Sequence, residues 1–245
     1  MSLTLLLRSE YLRYRTLRSN LITVAASTVA VVVMAWFIAR AFDGPAADAL
    51  VAAPVALPME YFAYVAMILG VLAVTSDLET GTAVVAACVV ADRVRVLAGK
   101  FVWVAGLGLA MAVPALVLTA LAGTVGTGAT LSRVLGADGA VGSIVADLLA
   151  VPLAALLGAA VAIVLRSTAM TLSLLLLWSL AVETVLVFVV DERYGAFLPF
   201  KTIGGSRLAM DQLGPLEGVG VFAGYTLVAV VLAVVVTVKR DYALR

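Results

Sequence analysis

Two groups of residues in this 245-residue chain have types and spacing suited to chemistry. The first is a lone carboxyl, Glu183, set in the apolar run Ala169–Val190 with Ser179 and Thr184 close to it. An ionisable group inside an apolar run of membrane length is costly, so by default it marks a functional site. Two uses are open. Glu183 could stand in a path or outer gate beside Ser179 and Thr184, or it could anchor an outer hairpin through backbone donors near Pro199. Arg193 and Lys201 are candidate charge partners.

The second group brackets a polar connection. It reads Ser76-Asp77-Leu78-Glu79-Thr80-Gly81-Thr82, then an apolar stretch Ala83–Ala91, then Asp92-Arg93-Val94-Arg95 and on to Lys100. Glycine between threonines suits a turn into a helix, each hydroxyl being able to cap it. Such a helix could dock on a partner, or it could be a solvated connector whose charges only set topology.

Several classes of chemistry are excluded. With no histidine, the commonest metal ligand and general base are missing, and the single cysteine, Cys88, cannot close an intrachain disulfide. Gly99-Lys100 is followed by Phe101 where a nucleotide-binding loop needs Ser or Thr, so the chain has no such ATPase site. A net charge of +1 and the absence of a long basic tract argue against a nucleic-acid surface. No pair of carboxylates within the spans and no nucleophile–base pair is evident, which leaves little for an intramembrane enzyme.

The elements that must position these residues follow from composition. Hydrophobic residues make up 64% of the chain and charged residues 13%, with a mean hydropathy of +1.17; soluble domains are about half apolar and about a quarter charged. The expectation is an all-α membrane protein, a single domain over residues 1–245. Its six transmembrane helices are placed at 21–42, 57–75, 101–121, 144–165, 169–190 and 219–238. Each run approaches the ~20 residues that cross the hydrocarbon core, and period-two alternation is missing, which counts against a β-barrel. The span at 57–75 has Glu60 near its start. Small residues at Ala154, Gly158 and Ala162 allow close helix contact, and Pro114 and Pro152 are candidate kinks. Trp36, Trp103 and Trp178 read as packing or interface residues.

Basic residues orient the chain. Eleven Lys and Arg fall on the side of the termini and five on the other, so both termini are expected in the cytoplasm. Residues 1–20 read as an amphipathic interfacial helix, its Arg13, Arg15 and Arg18 near anionic lipid, with Ser19 and Asn20 as caps for the first span. Leu3–Leu7 is too short for the apolar region of a cleavable signal. Ser76–Lys100 is the one long cytoplasmic loop. On the outer side, Thr124–Ser143 is glycine-rich, and Asp191–Gly218 is kept partly apolar by Leu198-Pro199-Phe200, as a short membrane-dipping hairpin requires.

In the order of its motifs the chain resembles the ABC-2 family of bacterial ABC-transporter permeases over nearly its whole length. The motifs are Arg13-Tyr14-Arg15-Thr16-Leu17-Arg18-Ser19 in the first helix; Glu79, Gly81 and Thr82 after span two; Arg93 and Lys100 before span three; Arg166-Ser167-Thr168; Glu183; and Leu198-Pro199-Phe200. The family often has proline just before the arginine, where this chain has Ala91 and Asp92. The resemblance implies a permease, not an enzyme, working in the bacterial cytoplasmic membrane as a dimer with a second copy or a sister permease, and bound to two cytoplasmic ATPase subunits. It further implies a coupling helix around Glu79–Arg95, with Glu79, Thr80, Gly81, Thr82, Arg93, Arg95 and Lys100 receiving the ATPase stroke. Ser179, Glu183, Thr184, Pro199 and Phe200 would lie on the path or its outer gate. ATP and Mg would be held by the partner, this chain binding no cofactor. The expected cargo is a small amphiphile, drug, peptide or lipid-linked molecule. The competing reading is an ATP-independent secondary transporter or channel; the lack of a half-to-half repeat and the scarcity of intramembrane charge weigh against it.

Overall fold

Runs of Ala, Val and Leu satisfy their own backbone only as helices when lipid is the solvent, and every long element of this chain is one. The computed structural model describes residues 10–12, 18–41, 53–80, 93–127, 140–189, 192–195, 197–203 and 213–239. Six helices are long and apolar enough to cross a membrane: α1 (Arg18–Ala41), α2 (Ala53–Glu79), α3 (Arg93–Thr127), α4 (Ala140–Leu165), α5 (Thr168–Val189) and α6 (Pro215–Lys239). No strand occurs among the described residues. This is the make-up of a multi-pass membrane protein.

The spans run in alternating directions. Glu79 at the end of α2 bonds Thr168 at the start of α5, and Lys100 in the first turns of α3 pairs with Asp77. These meet at what is here called the near end. At the far end, Gly126 of α3 lies against Ala39 of α1, and Gly142 of α4 against Pro215 of α6. The short helical turn Glu192–Gly195 and the 3₁₀ turn Pro199–Lys201 also belong to the far end.

One apolar core joins the bundle, with α2 and α4 at its centre and α1 and α5 most exposed. The central contact is made by glycine. A Cβ on Gly70 would collide with the backbone carbonyl of Ala155, and one on Gly158 with that of Met67. Gly108 of α3 meets Pro152 of α4, where a Cβ would stand 2.8 Å from the proline Cα. With no hydrophobic drive between helices in lipid, such close backbone approach supplies dispersion contacts instead. The buried hydroxyls of Thr75, Thr119, Thr171, Thr226 and Thr237 are satisfied by the carbonyl four residues earlier in the sequence.

Several boundaries differ from those expected. The helix at 57–75 extends to Ala53–Glu79, so Asp77 and Glu79 are helical rather than in the loop. The helix at 101–121 extends to Arg93–Thr127 and takes in Lys100. The reason is electrostatic: the Lys100 ammonium meets Asp77 across the two helices, so polar turns at both roots stay folded beyond the apolar spans. Ser19 and Asn20 lie within α1, which starts at Arg18, rather than capping it. Helices α3 and α4 run on through Pro114 and Pro152. Residues 1–9, 13–17, 81–92 and 128–139 lie outside the described residues. They include Arg13, Arg15, Gly81, Thr82 and nearly all of the interfacial and coupling helices read from the sequence.

Candidate functional site

The near end gathers the roots of the 81–92 connection. Glu79 closes α2, and its carboxylate accepts a hydrogen bond of 2.7 Å from the Thr168 hydroxyl. Thr80 turns back on α2, its N–H and its hydroxyl both donating to the Ser76 carbonyl. Across from them, Lys100 is nearly buried, donating to Asp77 of α2 and at 3.0 Å to Glu10 of the short described piece 10–12. Tyr11 in that piece packs edge-on against Trp103, ring centroids 6.4 Å apart. Arg93 opens α3, Arg95 two residues on is exposed, and Arg18 opens α1. Of the residues read as ATPase-contacting, Lys100 therefore turns into the bundle, whereas Arg95 faces outward.

The α4–α5 corner makes the Glu79–Thr168 bond possible. Arg166 sits at φ 53°, the left-handed conformation that commonly ends a helix, and its N–H bonds the Ala162 carbonyl at 2.8 Å. Ser167 then caps α5, its hydroxyl accepting from the Met170 N–H. A corner this tight places Thr168 level with the last residue of α2.

The far-end site is built on a defect in α5. Residues Trp178–Val182 form a π turn, closed by the Glu183 N–H on the Trp178 carbonyl. In a regular helix, residues five apart are about 140° apart around the axis, given 3.6 residues per turn. The i→i+5 bond of a π turn widens that turn and brings them to one side. Trp178 Nε1 accordingly donates to Glu183 Oε1 at 3.0 Å. The Glu183 side chain is fully buried. It also accepts the Phe200 N–H, at 3.2 Å on Oε1 and 3.1 Å on Oε2.

That N–H needs a partner because it opens a short turn. Leu198 is extended, Pro199–Lys201 forms one 3₁₀ turn, and the first N–H groups of any helix lack an internal acceptor. The turn closes on itself through Thr202 donating to Pro199 O and Lys201 N–H to Leu198 O. Phe200 stacks on Tyr64 of α2 (5.7 Å, 24° between planes) and touches Phe222 of α6 at 5.9 Å. Tyr225 of α6 donates to the Phe197 carbonyl.

Of the far-end residues chosen from the sequence, Ser179, Glu183, Pro199 and Phe200 come together and are buried. Thr184 does not join them: it is exposed and bonds its own helix at Leu180 O. Sequence reasoning missed Tyr64, which reaches the Ser179 hydroxyl, and the indole of Trp178. It noted Glu60 near the start of the second span without giving it a role and passed over Asp147 of α4; both are buried. Spacing carried a signal for Asp147, since it shares a helical face with Ala150, Ala154 and Gly158, all turned into the bundle.

No protein-family model, curated protein or solved structure matches this chain.

Proposed function

We propose that the chain is the membrane-spanning permease subunit of an ATP-driven exporter of the ABC-2 kind, working against a separate cytoplasmic ATPase. In this reading the near end is cytoplasmic, the protein resides in the bacterial inner membrane, and the 81–92 connection carries the coupling helix. The interfacial helix expected ahead of α1 and the outer hairpin expected between α5 and α6 belong to the same reading. A second copy or a sister permease completes the path. The cargo is a small amphiphile, drug, peptide or lipid-linked molecule.

The observation that carries the reading is the bracing at the near end. The connection leaves α2 at Glu79 and enters α3 at Arg93, and both roots are tied to other spans: Glu79 to α5 through Thr168, Lys100 to α2 through Asp77. A push on the connection would thus be delivered to three helices rather than absorbed by a loose strap. Coupling of this kind needs discrete alternative packings for the motion to select.

The test is to establish whether an adjacent gene encodes an ATPase with nucleotide-binding motifs and to reconstitute the chain with that ATPase. Co-purification is expected, with cargo-dependent ATP turnover that is lost in Glu79→Ala and Arg93→Ala variants that still assemble. Full coupled turnover in both variants would remove the coupling assignment.

The burial of Glu60, Asp147 and Glu183 favours one alternative, an ATP-independent transporter or channel, since buried carboxyls are the usual means of ion coupling. Transport in proteoliposomes lacking any ATPase, driven by an ion gradient alone, would decide for it.

A further inference from the structure

The far half of α5 buries polar residues and exposes apolar ones. Between Trp178 and Val189 the buried side chains are Ser179 and Glu183, while Leu180, Val185, Phe188 and Val189 stand exposed. In lipid, exposed apolar side chains give no drive toward docking, so polar contacts are what hold such a segment to its neighbours. One such contact joins Ser179 to Tyr64 of α2; the others converge on the Glu183 carboxylate, whose partners are the Phe200 N–H, the backbone and charge of Lys201, and the Trp178 indole on the same helix.

We infer that Glu183 is a latch: from α5 it caps the Pro199–Lys201 turn, tying the far half of that helix to segment 197–203, with Trp178, swung round by the π turn, as the positioning residue for the carboxylate. The remainder of the segment is fastened to α2 and α6 through Phe200 and Tyr225. Losing the carboxylate leaves a buried N–H without an acceptor, and the segment then lifts to find water. Losing only the indole leaves the cap but frees the carboxylate to turn. The inference deepens the permease reading and rests on it for any use in transport. The experiment needs neither ATPase nor cargo, so failure of the latch and failure of the permease reading are separable.

The protein would be studied full-length with Cys88→Ala, in nanodiscs of phosphatidylethanolamine and phosphatidylglycerol. A reporter cysteine replaces Ile203, fully buried beside the latch, or Thr75, buried toward the opposite end. Each is reacted with a membrane-impermeant maleimide. Glu183→Ala is expected to speed labelling at position 203 by about tenfold or more, the scale set by one unsatisfied buried donor. Glu183→Gln restores most of the protection, since its amide oxygen still accepts from Phe200. Trp178→Phe speeds labelling by roughly threefold, and Trp178→Phe with Glu183→Ala labels no faster than Glu183→Ala alone, because the indole acts through the carboxylate. Labelling at position 75 stays unchanged throughout. Position 203 labelling equally fast in the parent and in Glu183→Ala overturns the latch. If Glu183→Ala also exposes position 75, Trp178→Phe decides: faster labelling at 203 alone supports the latch, and parity with the parent overturns it.

Discussion

Glu79 and Thr168 lie 89 positions apart and share one hydrogen bond at the rim of the bundle, where water competes for both groups. Removing either hydroxyl or carboxylate should therefore cost little stability, about 0.5–1.5 kcal/mol. If the permease reading holds, Glu79→Ala separates coupling from folding: near-normal thermal unfolding with coupled ATP turnover sharply reduced. Lys100 is the opposite case. Its ammonium is almost enclosed, and Lys100→Met removes the cation that both Asp77 and Glu10 meet, so a loss of about 1–3 kcal/mol is expected. Adding Asp77→Asn to Lys100→Met should recover part of that loss, which paired unfolding measurements would show. A Lys100→Met protein as stable as the parent would mean that the ion pair contributes nothing. The same chemistry explains why these roles were illegible along the chain. A lysine before an apolar run reads as a topology charge until the carboxylates that meet it are placed.

Among the helices, glycine positions divide into two kinds that sequence alone does not distinguish. Gly70 and Gly158 touch backbone across the α2–α4 contact, whereas Gly106, Gly220 and Gly224 have open space where a Cβ would go. Gly158→Val should lower the thermal midpoint strongly or block assembly, because the clash is with a carbonyl that cannot turn aside. Gly106→Ala and Gly224→Ala should leave stability unchanged or raise it by up to about 1 kcal/mol, through backbone entropy alone. Equal effects from the two sets, measured by thermal unfolding in one detergent, would contradict the packing. The recurrence of Ala154, Gly158 and Ala162 announced that one face of α4 could approach a neighbour. That the neighbour is α2, and that Gly158 meets the Met67 carbonyl, is a property of the assembled pair. The π turn in α5 is likewise silent in sequence: Trp178-Ser179-Leu180-Ala181-Val182 has no proline or glycine to force it.

For the whole molecule, the number of spans, their order and their all-helical nature were legible, because lipid permits so few alternatives. A run of about 20 apolar residues that cannot share its hydrogen bonds with water must bond to itself. Orientation is open to a direct check in cells expressing a Cys88→Ala parent. A cysteine at exposed Arg95 should resist an impermeant maleimide, and one at exposed Tyr194 should react. The reverse pattern would turn the charge argument over and take the near-end coupling with it. What composition and charge determined by themselves is therefore the solvent, the spans and the expected sidedness, each a sum over many residues that no single contact can change. What only the tertiary structure decided is where polar groups find partners: Glu183 on the Phe200 N–H, Lys100 between Asp77 and Glu10, Glu79 on Thr168. Hydrogen bonds act over about 3 Å and depend on direction. Their partners exist only once helices distant in sequence have been set side by side.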